Sequence, residues 1–512
     1  MGKKREDRGK GNRTHEDQEF NLDGDFRSPV TSVRDLTFEN LKGVLLHSRY
    51  VQILLSLTLA GFFLRFYHLG YNSIWLDEAT TFYQAKTSFL DIWQTSVTGE
   101  FHPPLFDWIT HIMLTFGQSE VILRLVPAFL GALAIPVFYL IGKEYRDKNV
   151  GIISAALLTF SYFGIFYSQE ARAYSMVLFF FSLAILFYLR ALRTNELSQW
   201  ALFSVFAAIS VWSHYYTLIG LVVIFLHAVI SLRNQLRERI LNGKNMVIGA
   251  GLIFILSLPL FLLVFERYAA LSASAPTYGV LGPILFQDTF TRFSGGYSPD
   301  ALFITVIYLV IMVVGLVFLF SENRDKFLLS AMLLVLPLVA SVILSSKITM
   351  NPRYLIYLLP VYFTTIAMSY PVLLKLIPNK KMLYTIVILI GIVNAPLLIG
   401  YYSGYVKEDW RGFAGTIQSY THAGDLVVLS PGYILQPFNY YYSNATDNTI
   451  QYGVYTGKEL DTLYQTKGNN SMYLVITGDI QAANPNGDAL AWIKEHTKLV
   501  SENTGIYLFV AQ

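Results

Sequence analysis

Two carboxylates stand side by side in the stretch WLDEATT (residues 75–81). Asp77 and Glu78 are adjacent, so they cannot share one helix face: one can meet a substrate while the other pairs or caps. A carboxylate held against apolar surface has its pKa raised toward the range that suits a general base. The same two residues also suit a structural role, with Asp77 capping the following helix and Glu78 favouring its N-terminal dipole. Further along, EFHPPLFDW (100–108) sets His102 before Pro103 and Pro104, a rigid and extended entry to a helix. SQEARAYS (168–175) carries Glu170, Arg172 and Tyr174, and SHYYT (213–217) carries His214 with two tyrosines. MNPRYLIYLLP (350–360) opens an apolar run with Arg353 and Tyr354. Singly, each has a bland reading as a cap, a surface histidine or a snorkelling side chain. Their meaning depends on whether the fold brings them together.

The elements that must position them are membrane helices. Of 512 residues, 54% are hydrophobic and only 14% charged, where a soluble domain carries about a quarter charged, and mean hydropathy is +0.44. Runs long and apolar enough to span a bilayer are expected near 50–67, 120–142, 149–167, 174–192, 199–213, 216–232, 246–265, 301–320, 327–345, 354–374 and 382–402, about eleven in all. Aromatic residues make up 15% of the chain, as expected of one with many membrane–water interfaces. Basic residues cluster after alternate spans: Lys143, Arg146 and Lys148; Arg190 and Arg193; Arg233, Arg237, Arg239 and Lys244; Arg324 and Lys326; Lys375, Lys380 and Lys381. The positive-inside rule makes these loops and the basic N-terminus cytoplasmic. They fall on one side only if 199–232 is two helices that turn at His214. The loop 68–118, the turns at 168–173 and His214, the loops 266–300 and 346–353 and the C-terminal region then share the outer side. Two acids, two histidines and two arginines converge there, although charge at the membrane costs on the order of 3 kcal/mol per residue and is usually functional or paired.

The chain divides into a disordered cytoplasmic tail (1–45), a transmembrane unit (46–404) and a small extracytoplasmic α/β domain (405–512). In the last, apolar runs shrink to DLVVLS (425–430), MYLVIT (472–477) and GIYLFVA (505–511), alternating with an expected helix at 409–421. The absence of cysteine excludes a disulfide framework, thiolate metal ligation and cysteine catalysis. A net charge of +3 is too small to argue for nucleic acid.

An end-of-span arginine in RFYHLGYNSIWLDE (65–78), then HPPL, QEARAYS and PRYLIYLLP, resembles the GT-C class of membrane glycosyltransferases. More narrowly, the pattern is similar to dolichyl-phosphate-mannose–protein mannosyltransferase relatives, including the bacterial lipopolysaccharide core-sugar transferases and the aminoarabinose lipid A transferases. DWRGFAGTIQSY and GDLVVLSP (409–431) look like the extracytoplasmic domain that many of these carry. The resemblance covers most of residues 60–375. It implies a polytopic α-helical membrane protein that takes one sugar, mannose-like or another hexose, from a polyprenyl-phosphate donor (dolichyl or undecaprenyl). The acceptor would be a hydroxyl of a glycan, lipid or protein on the outer face, with inversion. Carried over, Asp77 is the base and Glu78 its support. Arg172 and Arg353 answer the phosphate, and Glu170, Tyr174, His214 and Tyr354 line the substrate. His102 stands where the lipid A transferases have a lysine before their paired prolines, so it contacts phosphate or ligates a metal. The chain lacks the large repeat domain that eukaryotic protein mannosyltransferases insert, which points to a prokaryotic enzyme and away from a protein acceptor.

The chemistry agrees with these residue types. Phosphate leaves without a proton, guanidinium groups answer its growing charge, and one carboxylate acting in a single displacement predicts inversion. No obligatory cofactor is expected, with room left for a divalent metal ion. Two other classes stay open: a transferase or ligase using a pyrophosphate-linked donor, and a transporter or flippase. A transporter tends to show repeated halves and charge buried at the bilayer midplane, and neither feature is visible here.

Overall fold

The computed structural model describes residues 21–24, 28–29, 35, 37–99, 102–237, 243–273, 278–442 and 448–512. The chain enters through α1 (Phe38–His47), which Thr37 caps, and α2 (Arg49–Phe66), which Ser48 caps. The helix at Phe38–His47 overlaps the stretch read as a disordered tail. Residues 1–20 of that tail lie outside the described residues. Three short helices, α3 (Leu76–Ala85), α4 (Phe89–Thr98) and α5 (Leu105–Met113), then build the first long loop. The bundle continues with α6 (Glu120–Tyr145), α7 (Lys148–Thr159), α8 (Tyr162–Ser168), α9 (Tyr174–Thr194), α10 (Leu197–Ser213), α11 (Thr217–Arg237) and α12 (Gly243–Leu271). It closes with α13 (Ile284–Gly295), α14 (Ala301–Glu322), α15 (Arg324–Leu344), a 3₁₀ turn at Pro352–Leu358, α16 (Leu359–Ala367), α17 (Tyr370–Leu376) and α18 (Met382–Tyr402).

All eleven apolar segments expected from the sequence are helical, but they are not equal. Among the described residues, eight helices are long and apolar enough to cross a membrane, nine if α7 and α8 count as one span bent by 59°. The remaining two segments are shorter: α10 has 17 residues, and the apolar part of α11 runs over Thr217–Ser231. They meet at Ser213–His214, where His214 leaves the helix in an extended conformation. The region 266–300, expected as a loop, contains the end of α12 and the whole of α13.

Charged side chains gather at two opposite ends of this bundle. At one end Arg146 pairs with Glu322, Arg190 and Arg193 pair with Glu144, and Lys148 pairs with Asp23. At the other end lie α3, the turn at 169–173, His214 and the 3₁₀ turn that carries Arg353. The hairpin between α10 and α11 lies at this second end, while Asn195, before α10, accepts from Trp200 at the first. The two short helices are therefore distinct elements joined at His214 rather than one bent helix.

The C-terminal unit is a five-stranded sheet with strand order β2-β1-β3-β5-β4. It runs α19 (Trp410–Gln418), β1 (Leu426–Ser430), α20 (Leu435–Tyr441), β2 (Ile450–Gly453), α21 (Gly457–Thr466) and β3 (Met472–Thr477). It ends with α22 (Ile480–Ala483), α23 (Asp488–His496), β4 (Thr497–Asn503) and β5 (Ile506–Ala511). The three apolar runs read from the sequence are β1, β3 and β5. The other two strands escaped because they are largely exposed and polar (IQYG and TKLVSEN) and show no apolar run. β1 pairs in parallel with β2 and β3, whereas β5 is antiparallel to both β3 and β4. Side chains alternate between two cores, one with α19 and α20 (Val427, Leu429, Val475, Phe438), the other with α21 and α23 (Val428, Leu474, Leu460, Trp492).

This domain docks on the first long loop. Thr80 donates to Gln436 at 2.7 Å, Ser73 donates to Asp409 at 3.1 Å, and the Ile74 amide donates to the Tyr441 hydroxyl at 2.8 Å. Phe82 meets Tyr440 edge-on at 4.8 Å between ring centroids. Sheet domain and bundle thus share a wall around the acidic pair.

Candidate active site

The two adjacent carboxylates part company, as neighbours on a helix must. Glu78 points inward from the first turn of α3 and is fully buried. Arg124, near the start of α6, grips it in a fork: Nε donates to Oε1 and Nη2 to Oε2, both at 2.7 Å. The remaining Arg124 donors reach the carbonyls of Leu69, Asn72 and Ser73 at 2.8–3.0 Å, so one guanidinium staples the whole approach to α3. The amide of Ala171 donates to Oε1 at 2.8 Å and Lys407 Nζ to Oε2 at 3.1 Å. Burial alone would raise the Glu78 pKa, but Arg124, Lys407 and the hydrogen bonds outweigh it and hold the carboxyl down at about 2. Every strong acceptor direction of Glu78 is occupied by protein.

Asp77 faces the other way. It makes no capping hydrogen bond, because Trp75 is the N-cap of α3 and has no side-chain bond to the helix. Its Oδ2 lies 3.0 Å from Arg353 Nη2, and both side chains keep some exposure, 21% and 13%. The Arg353 guanidinium rests among aromatic rings, 5.3 Å from Trp75, 5.6 Å from Tyr174 and 5.5 Å from Tyr354. Tyr354 stacks on Tyr216 at 4.9 Å and 8°. Arg172 approaches Asp77 from behind, with Nη1 donating to the Asp77 carbonyl at 3.3 Å and to Thr81 Oγ1 at 3.0 Å. Arg172 therefore fixes the backbone that carries Asp77.

Glu170 is fully buried beside this pair, with Oε2 3.5 Å from Lys407 Nζ and neither oxygen hydrogen-bonded. Burial pushes its pKa up, and Lys407 and Arg353 only partly counter that. The turn that holds it is fixed by Gln169, whose amide donates to the carbonyls of Leu64, Arg65 and Tyr67 and whose oxygen accepts from Tyr401. Arg65, the end-of-span arginine, donates to Ser168 at 3.2 Å and to the carbonyls of Gly61 and Leu158.

Two cavities flank this cluster, one lined by Arg353 and the other by Arg172. The larger, about 730 Å³, is walled by Trp75, Glu170, Arg353 and Lys407 with tyrosines 162, 167 and 297, and by Glu408, Thr504 and Gly505 of the C-terminal domain. Gly505 adopts φ +82° in the β4–β5 turn, a conformation that favours glycine and lets the turn reach the cavity. The smaller, about 10 Å³, lies between His102, Arg172, Tyr174 and His214. The two imidazoles sit 5.3 Å apart. His214 Nδ1 accepts from the Tyr216 amide at 3.4 Å, and its Nε2 has no partner. Burial and then the two nearby guanidiniums push the His214 pKa down to about 3. His102 is held well below its ordinary range by burial, Arg172, His214 and Arg353. Burial and the neighbouring guanidiniums thus disfavour the charged form of both imidazoles. His102 sits in no metal cluster: among the described residues no group of three or more His, Asp or Glu is arranged to hold an ion.

All nine residues singled out in the sequence thus lie around one site: Asp77, Glu78, His102, Glu170, Arg172, Tyr174, His214, Arg353 and Tyr354. Their parts differ from a simple list of ligands: Glu78 is engaged by protein, Arg353 and Glu170 line the larger cavity, Asp77 pairs with Arg353, and Arg172 lines the smaller cavity while holding the Asp77 backbone. Arg124 and Lys407 escaped the sequence reading. A guanidinium four residues into an apolar span was a signal for the first. Lys407 has none, because it looks like an ordinary linker residue until α18 delivers it between two acids.

A bent, multi-span helical bundle with an acidic first loop and a small α/β domain docked over it is the GT-C fold of membrane glycosyltransferases. Residues 101–262 match the family of dolichyl-phosphate-mannose-protein mannosyltransferases. The structure is similar to ArnT from Cupriavidus metallidurans bound to undecaprenyl phosphate, at 12% identity and TM-score 0.53, covering 90% of this chain and 98% of that one. It is also similar to the oligosaccharyltransferase AglB from Archaeoglobus fulgidus in complex with an inhibitory peptide and a dolichol-phosphate. There identity is 13% and TM-score 0.51, over 91% of this chain and 75% of that one. By sequence, a protein of Aquifex aeolicus is 27% identical over 146 residues; the match covers 27% of this chain and 29% of that protein's length.

Proposed function

We propose that the chain is a glycosyltransferase that takes a single sugar from a polyprenyl monophosphate and gives it to a hydroxyl acceptor, with inversion. The observation that carries this reading is the Asp77–Arg353 pair at 3.0 Å, a carboxylate held against a guanidinium that lines a cavity of about 730 Å³, in a fold that ArnT shows bound to undecaprenyl phosphate. Arg353 and Lys407 are the two cations that line that cavity, so they are assigned to the donor phosphate. Arg172, expected to share that task, is assigned to positioning instead, since its guanidinium holds Thr81 and the Asp77 backbone.

When phosphate occupies Arg353, the Asp77 carboxylate loses its partner and becomes free to act as base. It takes the proton of the acceptor hydroxyl, the acceptor oxygen bonds to the anomeric carbon, and the bond from that carbon to the phosphate oxygen breaks. The electron pair leaves on the polyprenyl phosphate, whose new charge Arg353 and Lys407 stabilise. The tyrosine-lined wall offers ring faces and hydroxyls to the sugar. The site end of the bundle and the C-terminal domain are assigned to the extracytoplasmic side, and the end bearing Arg146, Arg190 and Lys326 to the cytoplasm.

The test is donor consumption. Wild type and Asp77→Asn, purified in detergent, are offered labelled polyprenyl-phosphate sugars with a cell-envelope extract as acceptor. One donor consumed by the wild type and spared by Asp77→Asn is the expected result. A chain that binds no polyprenyl-phosphate sugar overturns the reading.

A further inference from the structure

The parallel half of the C-terminal sheet contains a topological switch point. After β1 the chain passes to α20, whose Phe438 packs on the face of Val427 and Leu429. After β3 it passes to α22 and α23, whose Ile480 and Trp492 pack on the opposite face, with Val428 and Leu474. β1 and β3 are neighbours in parallel register, Ser430 opposite Ile476. Adjacent parallel strands whose connections leave on opposite faces open a crevice beyond their carboxyl ends, where open α/β sheets bind ligands. The last residue of each strand is a hydroxyl, Ser430 on β1 and Thr477 on β3. Both are buried, at 0% and 3% exposure, and neither side-chain oxygen has a hydrogen-bond partner. An unpaired buried hydroxyl is costly, and by the strand alternation Ser430 falls on the Val428 face and Thr477 on the Val475 face, so the two flank the crevice from opposite sides of the sheet.

The crevice is also aimed at the membrane site. Thr477 pairs with Ile506, the residue after the Thr504–Gly505 turn that walls the large cavity. Asp479, exposed two residues beyond β3, is close enough to Asp77 and to Glu408 for their charges to act on one another. Tyr433, just past β1, lies 6.3 Å from Tyr455, with Asp479 and Tyr278 among its electrostatic neighbours.

We propose that this crevice is the acceptor subsite, and that it takes the hydroxyl-rich face of an uncharged sugar residue. The inference rests on the transferase reading and adds to it the class of acceptor. Its groups are the ones that bind sugars: hydroxyls that both donate and accept, carboxylates that accept, and tyrosine rings that cover apolar ring faces. The charged groups named at its rim, Asp479 and Glu408, are acidic. A phosphate-bearing acceptor would meet repulsion from these two carboxylates.

The chain has no cysteine, and a Cβ at Gly478 meets nothing within 4 Å, so Gly478→Cys in the full-length protein gives a single label at the crevice. Its rate of maleimide modification is measured with methyl glycosides of mannose, glucose and galactose, and with mannose 6-phosphate. Retention of labelled undecaprenyl phosphate is measured on the same samples. At least one methyl glycoside is expected to slow labelling, and mannose 6-phosphate is not. Adding Thr477→Val or Asp479→Asn should weaken that protection about tenfold while undecaprenyl phosphate stays bound. Protection by no methyl glycoside, in protein that retains undecaprenyl phosphate, overturns the crevice assignment and leaves the donor reading standing. Protection that survives both substitutions, or is matched by mannose 6-phosphate, overturns it as well. Failure of Gly478→Cys and of the parent chain alike to retain undecaprenyl phosphate overturns the donor reading, and with it the crevice's role as acceptor subsite.

Discussion

The two ends of the helical bundle use the same side chains in opposite ways. At the end remote from the cavities, Arg193 and Arg190 meet Glu144 with side chains 65%, 28% and 10% exposed. Pairs of this kind, shared with water, contribute about 0–1 kcal/mol each. At the site end, Glu78, Arg124, Glu170 and Lys407 are 0%, 1%, 0% and 7% exposed. Stripping water from such groups costs several kcal/mol per ion, which only dense hydrogen bonding offsets. Glu78 has that bonding and Glu170 does not. A bundle that needed charge only to orient itself would have stopped at the first arrangement. The second arrangement ties α3 to α6 and to the turn at 169–173, and so holds Asp77 beside Arg353.

The sharpest way to break this contrast is to replace each member of the acidic pair. Asp77→Asn removes the proposed base while keeping shape, and transfer should fall by about 10²–10⁴-fold with the fold intact, read by donor turnover and by an unchanged melting curve. Next in size, Arg124→Ala leaves Glu78 buried with Lys407 as its one remaining cation. Breaking a buried pair destabilises by about 3–5 kcal/mol, so loss of folded protein is expected before any kinetic effect can be measured. Reversal of the two outcomes, an unfolded Asp77→Asn and a stable, inactive Arg124→Ala, would mean that the roles of the two carboxylates are exchanged.

Much of this was legible in the sequence, for a reason that also marks the limit. Hydropathy and alternating basic loops located eleven apolar helices because a membrane permits few alternatives. Charges that a lipid-facing chain has no reason to carry located Asp77, Glu170, Arg172 and Arg353 at one end. What the residue string does not encode locally is which acid is satisfied. Glu78 and Asp77 are neighbours of the same charge, and only the arrival of Arg124 from 46 residues away and Lys407 from 329 away separates them. The ionisation of His102 is likewise not written in its own neighbourhood of the sequence. It is set by burial and by Arg172, His214 and Arg353, none of which is near it in sequence. The α/β domain was visible in its apolar runs, but its switch point depends on which face each crossover takes, and short amphipathic helices do not announce that.

The histidines sharpen the comparison through pH. His214 titrates at about 3 in the folded chain and at about 6.5 when unfolded. Between those values the unfolded state binds a proton that the folded state refuses. Stability should therefore fall as pH drops below about 6.5, by up to about 1.4 kcal/mol per pH unit for this one group. His214→Asn should flatten thermal melts recorded from pH 7 to pH 5, whereas the Glu78 contribution persists until pH falls below the ordinary carboxylate range toward 2. A steep acid loss that His214→Asn leaves unchanged would place the buried titration elsewhere.

The smallest expected effect tests the other half of the contrast. Arg193→Ala removes a side chain that is 65% exposed and leaves Glu144 with Arg190 at 3.1 Å. A change of less than about 1 kcal/mol is expected, fading further at high salt, where a Debye length of about 3 Å screens exposed charge. Donor turnover should not change, because nothing in the pair reaches either cavity. A loss comparable to that of Arg124→Ala would show that this end, too, depends on its charges for more than orientation, and the distinction between the two ends would have to be drawn from the cavity alone.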